Sequence, residues 1–294
     1  MEEQIKTFLD WLEHPKAYSR NTVEAYRNDL NQLMNFATSE RPQVNHWNRV
    51  DKGVLLSFVQ YLKDRGYTAS SAARKIAVIK TFFHYLVSHS IVPEDPTATL
   101  GSPKVIKRAP QILSTQEMDR LMTAAASRSS PKGFRDRAIL EILYATGVRV
   151  TELVSLDVEA VDLDAKIVQC GAGGNRQRTV PINERVTLAV DDYLRRGRAA
   201  FVVSDVERAL FVNPHGERLT RQGMWLIIRE YVKEAGITIP VTPQTLRHSF
   251  AVHQLNSGAD LSSVQRLLGH ANVATTQVYA KMMEPLNQPQ SVEE

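Results

Sequence analysis

Apolar residues recur at helical spacing through the first hundred positions of the chain. Ile5, Phe8, Leu9 and Leu12 share one face of a first helix, and Val23, Tyr26, Leu30, Leu33 and Phe36 share one face of a second. Ser19 stands where the second helix needs an N-cap. Val54, Leu55, Phe58, Tyr61 and Leu62 mark a third helix, and a fourth opens near Thr68-Ala69-Ser70-Ser71 and runs through Ile76, Ile79, Phe82, Phe83 and Leu86. Pro93-Glu94-Asp95-Pro96 closes this unit, which the pattern bounds at residues 1–100. Residues 101–113 lose the periodicity; their prolines, with Lys104, Lys107 and Arg108 and no acid, predict an extended basic linker able to follow a polyanion.

The helical pattern resumes at Ser114-Thr115-Gln116-Glu117, which has the form of a capping box. It fills a second domain over residues 114–284, with a short tail at 285–294. The run Ala138–Leu143 reads as a helix that stops at Gly147, and Thr151-Glu152-Leu153 restarts one, so Arg149 falls in a helix-to-helix turn. Ala165–Cys170 and Arg178–Ile182 pair as a small hairpin, and the class is therefore mainly α.

Composition narrows the class little. The chain has 294 residues, a net charge of +4 and 43% hydrophobic residues, which permits a nucleic-acid partner without requiring one. Cys170 is the single cysteine, so neither a disulfide framework nor a cysteine zinc cluster is expected. The acidic start Met1-Glu2-Glu3-Gln4 and the lack of a long apolar span predict a cytoplasmic protein with no membrane segment.

The candidate chemistry gathers late in the chain. Thr245-Leu246-Arg247-His248-Ser249-Phe250 precedes Leu267-Leu268-Gly269-His270 and Thr275-Thr276-Gln277-Val278-Tyr279. An arginine, a histidine and a tyrosine suit one phosphodiester: a cation for its oxygens, a hydrogen-bond donor and a phenol to attack phosphorus. Arg149 adds a second guanidinium, although a surface pairing with Glu152 explains that residue alone.

On these motifs, and on Ser19–Leu30 near the start, the chain resembles the tyrosine recombinases of the phage-integrase family, most closely the bacterial Xer group. The resemblance implies a four-helix SAM-like core-binding domain before the catalytic domain, duplex DNA as partner, a homo- or hetero-tetramer on two DNA sites, and no metal or other cofactor. It implies that Arg149 and Arg247 hold the scissile phosphate, that His270 hydrogen-bonds it and that Tyr279 is the nucleophile. Arg74, Lys75 and Lys80 on the fourth helix, the linker cations Lys104, Lys107 and Arg108, and Arg176, Arg221 and Gln222 become candidate DNA contacts.

Two positions depart from the family pattern. The loop Gly171–Val180 carries Gly173 where the family has a lysine, with no lysine between Lys166 and Lys233, and Gln244 replaces the histidine of His-x-x-Arg. Both missing groups would move protons, so a DNA-binding relative with weakened cleavage is the competing expectation, and a type IB topoisomerase a more remote one. Arg176 and Lys166 are the nearest replacement cations along the chain.

Overall fold

A computed structural model describes residues 1–14, 18–105, 109–171, 177–202 and 206–283. It divides into two compact units, Met1–Lys107 and Arg108–Glu294.

The first unit is built on the four helices that the pattern predicts: α1 (Glu2–Glu13), α2 (Arg20–Glu40), α3 (Lys52–Asp64) and α4 (Ala69–Ser88). Each of the last three is started by a side chain that takes an orphan amide. Ser19 accepts from Thr22 N, Asp51 from Val54 N and Thr68 from Ser71 N. The apolar stripes meet in one core, where Phe8, Leu30, Phe58, Phe82 and Phe83 are fully buried. Trp47 packs edge-on to Phe82 and Phe83 and donates its indole N–H to Met1 O at 3.0 Å.

A buried carboxylate interrupts that core. Asp29 of α2 is buried and accepts from Lys75 Nζ at 2.6 Å and from both terminal nitrogens of Arg74. A carboxylate removed from water needs such partners, and two cations supply them. This corrects the expectation for Lys75: it is 7% exposed and turned inward, so it is a structural cation rather than a DNA contact. Arg74 shares the same carboxylate but keeps half of its side chain in solvent.

In the second unit α5 (Thr115–Ala126) starts with the expected capping box on Ser114 and Glu117. The long α6 (Pro131–Thr146) is buried along most of its length, its charged Arg135, Asp136 and Glu141 included, and runs through the core, with Ala138, Ile139, Leu140 and Ile142 fully buried. It ends at Gly147, which adopts the left-handed conformation at φ +58°. The short α7 (Val150–Val154) follows, and then a three-stranded antiparallel sheet of β1 (Val161–Asp162), β2 (Ile167–Cys170) and β3 (Arg178–Pro181). In the hairpin Val168 faces Val180 and Cys170 faces Arg178; β1 adds a strand that the periodicity does not signal, because two residues carry no alternation. The chain continues through α8 (Glu184–Asp192), α9 (Arg221–Glu234), α10 (Pro243–Asn256), α11 (Leu261–Leu268) and α12 (Val273–Ala280). The last three enclose a smaller cluster of Phe250, Ala251, Val252, Leu255, Val264, Leu268 and Tyr279.

Gly147 is where the two clusters are joined. A Cβ there would lie 2.4 Å from Phe250 Cδ1 and 2.8 Å from a Leu268 methyl carbon, besides being held at positive φ. Gly147→Ala is expected to lose about 2–4 kcal/mol in urea unfolding, from left-handed strain plus overpacking. Gly236→Ala, at φ +64° with no atom within 4 Å of its Cβ, isolates the backbone share and should lose only about 1–2 kcal/mol. Equal losses at both positions would contradict the packing account.

Candidate active site

Three chain reversals deliver the candidate residues to one place. The first is the α6–α7 turn, where Arg149 is the N-cap of α7 and its backbone N–H donates to Glu152 Oε2 at 2.8 Å. The second is the α11–α12 turn, where Gly269 takes the left-handed conformation at φ +63° and His270 N–H reaches back to Gln265 O at 3.2 Å. The third is the start of α10, where Thr242 caps the helix and Pro243 occupies its first turn.

Arg247 projects from α10 into the gap between the other two turns and is buried. Its Nη1 donates to Gly147 O; its Nη2 donates to Leu268 O at 2.6 Å and to His270 Nε2 at 3.0 Å. Arg149 Nη2 donates to the next carbonyl, Gly269 O, at 3.2 Å. Adjacent peptide carbonyls therefore hold one guanidinium each, and the two cations stand side by side. Burial first, then the charge of Arg149, pulls the Arg247 pKa down to about 10, so it stays protonated at neutral pH.

Glu152 carries the counter-charge. It accepts from Arg149 Nη1 at 3.2 Å and, through both oxygens, from Arg178 at 2.8 and 3.1 Å. Burial alone would raise its pKa, but hydrogen bonds from Arg178 and from the Arg149 backbone outweigh that and hold it down to about 2. Arg178 sits at the start of β3 and also donates to Leu267 O at 2.7 Å. The hairpin, α7 and the α11–α12 turn are thereby tied together.

Arginine can only donate, so His270 Nε2 accepts from Arg247 and the ring proton belongs on Nδ1, which donates to Thr276 Oγ1 at 3.0 Å. Burial and the charges of Arg247, Arg149 and Arg178 pull the His270 pKa down to about 4, so the ring is neutral. Tyr279 on α12 is 3% exposed, and its ring lies nearly parallel to that of His270 with centroids 6.3 Å apart. Its hydroxyl makes a 2.8 Å hydrogen bond with His248 Nδ1.

The arrangement gathers two guanidiniums, a phenol and a histidine, and comparison with known proteins shows the company the chain keeps. Residues 111–284 match the model of the phage integrase family, and residues 5–90 match the phage integrase N-terminal SAM-like domain. The chain is 42% identical to tyrosine recombinase XerC of Herpetosiphon aurantiacus, over 95% of its own length and 90% of the relative's. It is 38% identical to tyrosine recombinase XerD of Listeria monocytogenes, over 95% and 94%. A crystal structure of a lambda integrase(75–356) dimer bound to a COC′ core site shares the fold, with a TM-score of 0.74 at 14% identity, covering 100% of this chain and 99% of that one.

The chain belongs to the phage integrase family.

It is a tyrosine recombinase, and its candidate residues divide into several groups. Arg149, Arg247, His270 and Tyr279 are brought together. The pairing of Arg149 with Glu152 also forms. Gln244 is exposed in the first turn of α10, one turn before His248. Lys104, Arg221 and Gln222 are exposed, and Lys80 is half-buried. Gly173, Arg176, Lys107, Arg108 and the tail at 285–294 lie outside the described residues. Lys166 directly precedes β2, at the end of the hairpin opposite the Cys170–Arg178 pair, with its ammonium paired to Glu184.

Sequence reasoning missed Arg178, Thr276 and His248 as parts of this site. Arg178 was legible only as a strand residue, while His248 adjoins Arg247 and lies one helical turn past Gln244.

The recombinase should show the linkage of Glu152 to folding. A pKa near 2 in the folded state lies below the ordinary 4.5, so ionised Glu152 contributes stability that is present above about pH 4.5 and is lost as the pH falls toward 2. Glu152→Gln is expected to lower stability at pH 7, with the gap to the parent protein narrowing below pH 4.5 in denaturant titrations. A gap that stays constant down to pH 2 would contradict the assignment.

Proposed function

We propose that this recombinase cuts and rejoins specific duplex DNA strands through a 3′-phosphotyrosyl link to Tyr279. The observation that carries the reading is the seating of Arg149 and Arg247 on the neighbouring carbonyls of Gly269 and Leu268, beside the hydroxyl-bearing ring of Tyr279. Two fixed forks of donors there suit a phosphate whose equatorial oxygens gain charge in the transition state, and they need no reorganisation at that moment. Tyr279 attacks phosphorus, the 5′ oxygen departs, and a 5′-hydroxyl from the partner strand later reverses the step. The phosphoester energy is kept in the link, so no nucleotide is consumed. His270 releases Arg247 as the phosphate arrives and presents an N–H to it after a change of tautomer.

The Xer relatives, named tyrosine recombinases, support a Xer-like role in this chain: chromosome dimer resolution linked to partition and cell division, in the cytoplasm, by a tetramer on two DNA sites. Among the described residues no helix is long and apolar enough to cross a membrane. Lys104, Arg221 and Gln222, with Arg74 and Lys80, are the surface groups assigned to the DNA backbone.

A duplex selected by binding from a random pool, with single nicks tiled through it, tests the reading by trapping covalent protein. Tyr279→Phe should bind that duplex normally and form no adduct; an adduct of undiminished yield would place the nucleophile elsewhere. Arg149→Ala and Arg247→Lys should cut about 10²–10³-fold more slowly with affinity changed only a few-fold. Equal losses in both would reduce these arginines to backbone anchors.

The vacancy at the lysine position has its own signature. Replacing the bridging 5′ oxygen by sulfur removes most of the need for an acid, so the parent protein should cut the thiolate substrate much faster than ordinary DNA. Gly173→Lys should narrow that preference. Equal parent rates on both substrates would mean that an acid is already present.

A further inference from the structure

The described structure leaves one proton without an obvious destination. A phenol attacking phosphorus must lose its proton, and in this chain Gln244 replaces the histidine that the family pattern provides. His270 does not serve, since Thr276 takes its Nδ1 and its Nε2, on Arg247 here, is the nitrogen assigned to the phosphate. Arg247 and Arg149 are cations with only donors to offer. What touches the Tyr279 hydroxyl is His248 Nδ1, at 2.8 Å, with the rings tilted at 49° and their centroids 5.4 Å apart.

From this geometry we propose that His248 is the catalytic base of the cleavage step, accepting the Tyr279 proton on Nδ1, and the acid of the rejoining step, returning it. The inference rests on Tyr279 being the nucleophile. In cleavage the Tyr279 Oη–P bond forms and the P–O5′ bond breaks. The phenolic proton passes to His248 Nδ1, and the departing 5′ oxygen takes a proton from a solvent water and leaves as a hydroxyl, the hydroxide left behind being neutralised by the buffer. The phosphodiester carries one negative charge before and after the step. Rejoining runs the same steps backwards, with imidazolium protonating the leaving phenolate.

The surroundings fit a base that acts in concert with attack. Burial and the charge of Arg247 lower the His248 pKa, which keeps the ring neutral and free to accept at pH 7. Burial raises the Tyr279 pKa, only partly offset by Arg247 and Arg149, which keeps the phenol protonated until it reacts. Proton transfer ahead of attack is therefore uphill; it becomes favourable as the oxygen commits its electrons to phosphorus. Among the described residues the groups facing His248 are Arg247 of its own helix, Tyr279 of α12 and, across the tyrosine ring, His270. None of them is an anion that would hold His248 protonated.

Two measurements decide the matter. The first needs no DNA: in the ¹⁵N-histidine spectrum at pH 7, His248 Nδ1 should show the shift of an unprotonated nitrogen and move in Tyr279→Phe. A protonated Nδ1 would overturn the proposal whatever the fate of the recombinase reading. The second uses His248→Asn, whose amide retains a hydrogen-bonding group near the Nδ1 position but cannot carry a proton. On the selected, nicked duplex it should bind within a few-fold of the parent and form the covalent adduct about 10²–10³-fold more slowly. The deficit should persist on the 5′-thiolate substrate, where leaving-group protonation no longer matters, and imidazole should partly restore His248→Ala. The parent rate should fall as the pH drops through the His248 pKa, and the Asn variant should lose that inflection.

A deficit that vanishes on the thiolate substrate would move His248 to the leaving-group side. A faster His248→Asn protein would make the contact a latch that holds Tyr279 back. Either result overturns the assignment. Absence of any Tyr279 adduct with the parent protein would instead overturn the recombinase reading, and His248 with it.

Discussion

The site depends on one buried guanidinium bound to main-chain carbonyls. Arg247 bridges Gly147 O and Leu268 O, so a single side chain of α10 fixes the turn that ends α6 against the turn that ends α11. Both turns are closed by glycines in the left-handed conformation, which frees their peptide groups to face inward. Carbonyl oxygens are good partners for a cation proposed to hold an anion, because they orient the fork without neutralising its charge. A carboxylate in the same place would compete with the phosphate.

The one nearby carboxylate is kept occupied. Glu152 is spanned by Arg178 and also takes the Arg149 backbone N–H, so its charge is satisfied mainly from the side of the hairpin. The consequence is an electropositive pocket of three arginines and one glutamate: burial, and after it the neighbouring guanidiniums, push His270 toward a low pKa and Arg247 below its usual range. Under the proposed function an incoming phosphodiester would relieve that repulsion.

Much of this was legible in the sequence. The four stripes of the first unit appear as buried faces because a helix of alternating apolar and polar turns has few ways to hide them. Arg149, Arg247, His270 and Tyr279 could be named because their segments resemble one family closely. What escaped was long-range pairing. Lys75 lies on the apolar stripe between Ala72 and Ile79, and only Asp29 on a different helix explains a lysine there. His248 next to Arg247 carries no periodic signal, since its importance comes from where α12 places Tyr279, 31 residues later. Lys166 looked close to the missing lysine along the chain, whereas the register of β2 and β3 puts it at the far end of the hairpin.

The central claim is that Tyr279 becomes bonded to DNA. Trypsin cleavage after Arg266 and Lys281 releases Leu267–Lys281, a peptide in which Tyr279 is the only tyrosine. Mass spectrometry of the covalent complex, digested with nuclease and trypsin, should find the nucleotide mass on this peptide, with fragmentation locating it on Tyr279. A nucleotide carried by any other peptide would contradict the account.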